Sequence, residues 1–350
     1  MAANEKRYNL DSVNIYADVK GEQKNLVINS EVLTASLNGQ FNLSEIGNAL
    51  TNDINKYFKI SDGKEIPVSK SQNFNFTLNV TNHPIVQEFV PLLTHLEPVW
   101  VKGSFNSEAG GLKMETATPK IIYSGTTVDN VNLVINNDGN ALNYNLRLDK
   151  ISTTSFMINK SSLNGKAQDN RVGVNLNVKD QNDKDKYLLT GLFSVIDGQY
   201  QFSFNQDSLM LNYDPWIVTS ENFVQFGSKG IMTGNLNLSG NDQALSVNSN
   251  PQQVNAPLIV NLTNFKISTL TAFAELDTLL ANGIINGNVE LSNLESSPAF
   301  VGDLNVKDFS FRADTLCDIS MKVNTSVANT YVAKININGT GNAVILAGEL

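Results

Sequence analysis

A single cysteine, Cys317, stands in this chain of 350 residues, so no internal disulfide can hold it together. Its place between Leu316 and Asp318 in a strand-like stretch suits a small buried thiol better than a nucleophile. Histidine is almost as scarce. His83 lies at a predicted helix start and His95 near a predicted helix end, and neither belongs to a metal-ligand cluster. Charged residues make up only 17%, and the excess is acidic, with a net charge of −9 and a pI near 4.8. Nucleic-acid affinity depends on clustered Lys and Arg displacing counterions, and no basic stripe occurs, so nucleic acid is excluded as a partner. The charged run Asp180 to Lys186 lacks the spaced carboxylates and terminal Glu of a calcium loop and reads as a solvated hairpin tip. No apolar run is long enough to span a bilayer, and the opening MAANEKRYNL has no apolar signal core. Two expectations follow: a cytosolic protein, or an internal piece of a longer one.

What the chain does have is alternation. Phe74, Phe76, Leu78 and Val80 are separated by Asn75, Thr77 and Asn79; Leu142, Tyr144, Leu146 and Leu148 by Asn143, Asn145 and Arg147. The pattern recurs at Val174, Leu176 and Val178, at Tyr200, Phe202 and Phe204, at Leu236 and Leu238, and at Ile335 and Ile337. Successive strand side chains point to opposite faces, so a period of two describes sheet with one apolar and one wet face. Hydrophobic residues are 41% of the chain, enough for a large core, and Asn, Ser, Thr and Asp supply the polarity. The fold class expected is all-β.

Turn dipeptides punctuate the strands: Asn38-Gly39, Asp62-Gly63, Asp138-Gly139, Asn164-Gly165, Asp197-Gly198, Asn282-Gly283, Asn286-Gly287 and Asn338-Gly339. Asn-Gly and Asp-Gly supply the positive φ that tight hairpins need, which predicts an antiparallel meander. Three segments break the period of two. Ser44 can cap a helix carrying Ile46, Leu50, Ile54, Tyr57 and Phe58 at helical spacing. Asn82 and Pro84 open a second with Ile85, Phe89, Leu92, Leu93 and Leu96, which Pro91 should kink or divide. Ser268 opens a third through Leu270, Phe273, Leu276 and Leu280. All three are short and amphipathic, fit to cap or plug a sheet.

Matching text after the second and third helices predicts an internal repeat. Val101-Lys102-Gly103-Ser104-Phe105, Pro119-Lys120-Ile121-Ile122 and Asp129-Asn130-Val131-Asn132-Leu133 answer to Ile285-Asn286-Gly287-Asn288-Val289, Pro298-Ala299-Phe300-Val301 and Lys307-Asp308-Phe309-Ser310-Phe311. With the first helix as a degenerate copy, the organisation expected is a partial repeat over 1–60, a helix-plus-sheet repeat over 61–265 and a second, truncated one over 266–350, in one continuous array.

Catalytic signatures are missing. No Gly-x-Ser-x-Gly elbow, Walker loop or His-Glu-x-x-His is present. Gly339-Thr340-Gly341 leads into Val344-Ile345-Leu346, a strand, where a dinucleotide site needs a helix N-terminus. Asp207, Asp214 and Glu221 around Tyr213 and Trp216 form the one neighbourhood a sugar could favour, and a glycosidase pair stays open there. Turns and strand ends collect Asp for structural reasons, so no catalytic residue, metal or cofactor is expected and a non-enzymatic role is.

With these motifs in view, the chain resembles the AsmA-like superfamily, and within it the TamB-like translocation and assembly module proteins of Bacteroidetes-type bacteria. The resemblance spans about 60 to 350 and is carried by the stretch from Asn73 to Leu148, by Asn212-Tyr213-Asp214-Pro215-Trp216-Ile217-Val218 with Asn222-Phe223-Val224-Gln225-Phe226, and by the run from Ala256-Pro257-Leu258 to Gly339-Thr340-Gly341-Asn342. It implies an elongated, curled antiparallel sheet, an open taco-shaped groove with a solenoid-like build, whose apolar inner face carries phospholipid between the inner and outer membranes. It also implies a partner barrel of the Omp85 type. The membrane anchor of such proteins is missing, so the expectation is a periplasmic piece of a longer inner-membrane-anchored protein. The groove lining expected from strand parity is Phe74, Phe76, Leu78, Val80, Leu142, Tyr144, Leu146, Leu148, Val174, Leu176, Val178, Tyr200, Phe202 and Phe204. Phospholipid or another acyl-chain lipid is the ligand expected there. A second sheet closing a sandwich would cover the same side chains, and a strand-pairing scaffold for outer-membrane proteins is the alternative function.

Overall fold

The computed structural model describes residues 10–59, 66–154, 156–272, 281–294, 298–311, 314–327, 330–339 and 342–349. The chain is all-β, as its alternation predicts: the described residues form 24 strands of open antiparallel sheet and three short helices. Two compact units divide it, one of residues 1–154 and 159–172, the other of residues 155–158 and 173–350.

In the first unit β1 (Val13–Lys20), β2 (Gln23–Ser30) and β3 (Leu33–Gln40) form a meander. Helix α1 (Ile46–Asn55) follows, and β4 (Asn73–Val80) then returns to pair with β3. Helix α2 (Pro84–Phe89) and β5 (Leu93–Leu96) intervene before β6 (Val99–Asn106), which pairs with β4. The long β7 (Gly111–Tyr123) pairs along its first half with β6 and along its second with β5. The ladder continues through β8 (Thr126–Asn137), β9 (Leu142–Ser152) and β10 (Met157–Gln168).

The second unit holds β11 (Arg171–Lys179), β12 (Asp185–Ile196) and β13 (Gln199–Leu211), and β13 forks. Its first half pairs with β15 (Phe223–Gly227), which leads to β16 (Gly230–Gly234); its last residues pair with β14 (Asp214–Val218). From β14 a second run goes through β17 (Asn237–Gly240), β18 (Gln243–Ser249) and β19 (Leu258–Lys266). After α3 (Ser268–Thr271) it continues through β20 (Ala281–Ser292), β21 (Ala299–Phe311), β22 (Asp314–Val327), β23 (Thr330–Gly339) and β24 (Asn342–Glu349).

The helices depart from expectation in detail. Ser44 does not cap α1: the N-cap is Glu45, with no side-chain cap bond, and Asn42 Oδ1 instead takes the Ser44 hydroxyl at 3.0 Å. The second helix ends at Phe89, and Leu93 to Leu96, including His95, are strand. Pro91 explains this, since it lacks an N–H and biases Val90 away from helix, where φ is −131° and ψ 76°. His83 does cap α2, its Nδ1 accepting from the Ile85 N–H at 3.2 Å. Of the third predicted helix, Phe273, Leu276 and Leu280 lie outside the described residues.

Turn chemistry is split between two uses. Asp138-Gly139 and Asp197-Gly198 do close hairpins, and Asp180 to Lys186 spans the β11–β12 tip. Asn38-Gly39, Asn164-Gly165, Asn282-Gly283 and Asn286-Gly287 lie inside strands instead. Gly39 shows why: at φ +141°, a Cβ there would stand 2.2 Å from the Asn73 carbonyl oxygen, so the glycine admits close backbone approach. Asp62-Gly63 lies outside the described residues.

The matching motifs of the two predicted copies agree in placement at the first two, on β6 and β7 and on β20 and β21, and differ at the third. The first copy places its three motifs on β6, β7 and β8, whereas the last two motifs of the second copy fall on or beside the unbroken β21. What the matching text encodes is local: the Asn130 and Asp308 backbones both take positive φ, at 51° each. Asn264, at φ 46°, repeats the device in β19. Register shifts accompany Asn264, between Leu262 and Phe265, and Asp308, between Val306 and Phe309. Each is a bulge whose extra residue returns the next aromatic to the face of the preceding aliphatic.

Asp138 holds the β8–β9 turn, its carboxylate accepting from the N–H groups of Ala141 at 2.8 Å and Asn140 at 2.9 Å and from Asn143 Nδ2 at 3.0 Å. These bonds, the Ala141 N–H foremost, hold its pKa below the usual aspartate value. They favour the charged form, so their contribution to stability is present above the unfolded-state pKa and is lost as pH falls through the lowered one. An NMR titration of Asp138 is expected to give a midpoint below 3.8. A second prediction concerns Gly111, at φ +50°, where a Cβ would stand 2.0 Å from Asn137 Nδ2 and 2.4 Å from Asp53 Oδ2. Gly111→Ala is expected to cost roughly 2–4 kcal/mol in urea denaturation, backbone strain plus overpacking. Gly21→Ala, with φ +65° and nothing within 4 Å, should cost only about 1 kcal/mol.

Candidate functional site: apolar rows across the strands

Residues directly opposite in an antiparallel pair share a face, so register shows how far the apolar face extends. In the first unit one row passes from Ala17 through Leu26, Leu37, Phe76, Gly103, Met114 and Ile135 to Tyr144, crossing eight strands. Beside it runs Ile15, Ile28, Ala35, Leu78, Val101, Thr116, Leu133 and Leu146. Neither row contains a charged residue. The opposite face carries Asp18, Asn25, Asn38, Asn75, Ser104, Lys113, Asn136 and Asn143 in the same register, and beside them Ser36 bonds Thr77 at 2.7 Å and Lys102 pairs with Glu115 at 2.9 Å. Seven inter-strand steps of about 4.8 Å make each row roughly 34 Å long.

Gly103 fits the first row because the Phe76 ring lies over it: a Cβ there would meet Phe76 Cζ at 2.6 Å. The rings and aliphatics around Phe76, Gly103, Met114 and Ile135 line a shallow hollow of about 530 Å³.

A third row, Gly39, Phe74, Phe105 and Leu112, lies along one margin of this face and is covered. Helix α1 packs Ile46, Ala49 and Leu50 onto it, together with Phe41, leaving Phe74 3% and Phe105 1% exposed. A ten-residue helix without a side-chain cap is marginal alone, so docking is what makes α1 a helix. Asp53, at 1% exposure, fastens it. Its Oδ2 accepts from the Leu112 N–H at 3.1 Å and from Asn137 Nδ2 at 3.2 Å, and its Oδ1 from Lys56 Nζ at 3.1 Å. Tyr57 completes the set by donating its hydroxyl to Asn137 Oδ1 at 2.8 Å.

The second unit repeats the logic with different residues. Leu238, Leu245, Leu262, Gly287, Leu304, Met321, Ile335 and Leu346 form one row across β17 to β24. Val247, Val260, Val289, Gly302, Val323, Ala333 and Gly348 form the next. The β17 end of this face is closed. Where β13 forks, Leu209, Trp216, Val218, Leu236, Leu238 and Phe265 are buried together, with Trp216 1% and Val218 0% exposed. Gly240 makes room, since a Cβ there would stand 3.0 Å from Trp216 Cδ2.

The residues predicted to line a groove therefore meet different fates. Leu78, Val80, Tyr144, Leu146 and Leu148 are half-buried on the first unit's uncovered part; Phe76 adjoins the α1 cluster, Phe74 is under it, and Leu142 pairs with Asn137 at that margin. Apolar surroundings push the Tyr144 phenol's pKa up, which keeps it neutral. In the second unit Val174 and Leu176 are half-buried and Val178 is buried. Phe204 packs into the Trp216 core, with Phe202 4.9 Å from it, while Tyr200 is 42% exposed and stacks on Phe193 at 5.5 Å.

Trp216 is no sugar platform, being buried, and the carboxylates around it are spread: Asp214 takes Asn241 Nδ2 at 3.3 Å, while Asp207 and Glu221 are exposed. Cys317 is buried in β22. Among the described residues no group of His, Cys, Asp or Glu could hold a metal ion, and no helix is long and apolar enough to cross a membrane. Of the β17–β24 rows, sequence reasoning read the alternation at Leu238 and Ile335 but placed neither in the groove lining, and Gly287, Gly302 and Gly348 interrupt the greasy alternation between and beyond them. Sequence reasoning missed Asp53, whose one signal is a carboxylate inside the helical stripe Ile46, Ala49, Leu50 and Tyr57.

Compared with protein-family models, with curated proteins and with solved structures, the chain finds no match in any of the three. Exposure separates closed core from open face and gives a test. Trp216→Ala is expected to cost about 3–5 kcal/mol in chemical denaturation, as large core truncations do. Tyr200→Ala should cost about 1 kcal/mol or less.

Proposed function

We propose that the chain is a non-enzymatic lipid conduit that carries phospholipid along its uncovered apolar rows, in the manner of the TamB-like proteins it resembles. The observation that carries this reading is the continuity of those rows: in the first unit the row from Ile15 to Leu146 crosses eight strands in register without a charge, and in the second the row from Gly287 to Leu346 crosses five beyond the closed β17 end. At roughly 34 Å a row exceeds one acyl tail, which fills about half of a ~30 Å hydrocarbon core. A wall that long and that uniform suits sliding better than capture in one pocket. The driving force is ample, since burial is worth about 0.8 kcal/mol per methylene and a tail of about 16 carbons gains on the order of 10 kcal/mol. The polar Asn, Ser and Thr face keeps the reverse side in water. On this reading the chain works in the periplasm, between the two membranes, with an Omp85-type barrel as a partner.

A second reading, a scaffold that pairs its edge strands with outer-membrane clients, draws on the two outermost strands. Ile15 and Val19 on β1 are 66% and 63% exposed, and Ile345 on β24 is 69% exposed. Among the described residues each of these strands pairs on one side only, which leaves backbone groups open to strand addition.

The test is mass spectrometry of the organic extract of purified protein. Acyl lipid is expected with the unaltered chain and with Asn75→Asp on the polar face, and its loss is expected in Leu146→Asp with the far-ultraviolet circular dichroism of a folded sheet retained. Leu146→Asp that unfolds instead would mean that protein covers this row, because a buried charge without a partner is not tolerated. A variant that keeps its lipid but loses client binding when Ile345→Pro blocks the β24 edge would favour the scaffold.

A further inference from the structure

Helix α1 occupies the kind of surface on which the lipid would lie. Ile46, Ala49 and Leu50 present to Phe74, Phe105 and Leu112 the aliphatic contact that an acyl tail would make. The row through Leu78, Leu133 and Leu146, beyond the Phe76 row on the same sheet face, has no buried member. We infer that α1 is a built-in competitor for lipid, latched by Asp53, which keeps tails off one margin of the first unit's face and yields that margin when the latch is broken.

The inference rests on the lipid reading and adds the control of that same site. Its support is the unusual make-up of the contact. A helix meant only to fill a core would hold on with apolar side chains alone, yet the inward stripe of this one carries in its last turn a carboxylate buried to 1% exposure. Every bond to Asp53 ties α1 either to the sheet margin, at the Leu112 N–H and Asn137, or back to itself at Lys56. Lys56 reaches the sheet margin as well, donating to the Ser107 carbonyl at 3.2 Å. Gly111 leaves the space the carboxylate needs, and a Cβ there would fill it. The Asp53 and Lys56 bonds thus add a polar latch at the margin, while Ile46, Ala49 and Leu50 meet plain apolar sheet. An apolar row held shut by a polar latch exchanges one apolar cover for another when the latch opens.

The experiment uses the full chain with vesicles of phosphatidylcholine bearing a diazirine in one acyl chain, photolysed and mapped by peptide mass spectrometry. In the unaltered chain, adducts are expected on the peptides holding Leu78, Leu133 and Leu146 and not on Phe105 or Leu112. In Asp53→Ala, adducts should spread to Phe105 and Leu112 with a several-fold rise. If Asp53→Ala fails to fold, the double variant Ile46→Ser, Leu50→Ser decides, because it weakens the helix's grip through half-buried side chains and leaves the polar set in place. Equal labelling of both rows in the unaltered chain, or an unchanged map in a folded variant, overturns the inference and leaves the conduit standing. Labelling of neither row sinks the conduit itself, and the inference with it.

Discussion

Cross-strand pairing of like with like is the constraint from which the rest of this structure follows. With a side-chain period of two, a slip of one residue would turn every Leu, Phe and Val to the water and every Asn to the grease. The register does not slip across eight strands in the first unit, nor across the β17–β24 run in the second, apart from bulges. Those bulges serve the same constraint. At Asn264 and Asp308 an extra residue is accommodated at positive φ, and Phe265 and Phe309 come back to the face of Leu262 and Val306. Glycines inside strands do related work where a ring must lie flat, as Phe76 does over Gly103.

A face kept apolar over such a length needs a cover, and the described residues supply only part of one. At one margin of the first unit the cover is α1, and at the fork of β13 it is the Trp216 core. Both are built from a few large side chains in close contact; the α1 cluster reaches the Phe76 row and the Trp216 core reaches Leu245 and Leu262, and neither extends to Leu78, Leu133 or Met321. A sandwich would have continued either cover along the face. What distinguishes open face from closed core here is therefore extent: apolar side chains are buried at Phe74 and Trp216 and only half-buried at Leu78, Leu133 and Met321. Uncovered apolar surface on this scale is what acyl chains would fill.

Much of this was legible in the residues alone. Alternation at Phe74 to Val80 and Leu142 to Leu148 gave strands of the right parity, because a period of two has one structural meaning. Dipeptide signals did less well. Asn-Gly offers positive φ or close backbone approach, and a sequence cannot say whether a hairpin, as at Asp197-Gly198, or a strand interior, as at Asn38-Gly39, will use it. Long-range cover was the least visible. Phe204 and Phe202 read alike as text, but only Phe204 joins the Trp216 core, since that depends on how β13 forks. Asp53 is the clearest case: its burial arises from Leu112 and Asn137, 59 and 84 residues away.

The most direct test is a structure determined from protein extracted with its native lipids. Tubular density running across the strands, over Leu78, Leu133 and Leu146 and perpendicular to the chain direction, is the result expected. Polypeptide lying on those side chains, whether from a second copy or from another protein, would contradict it.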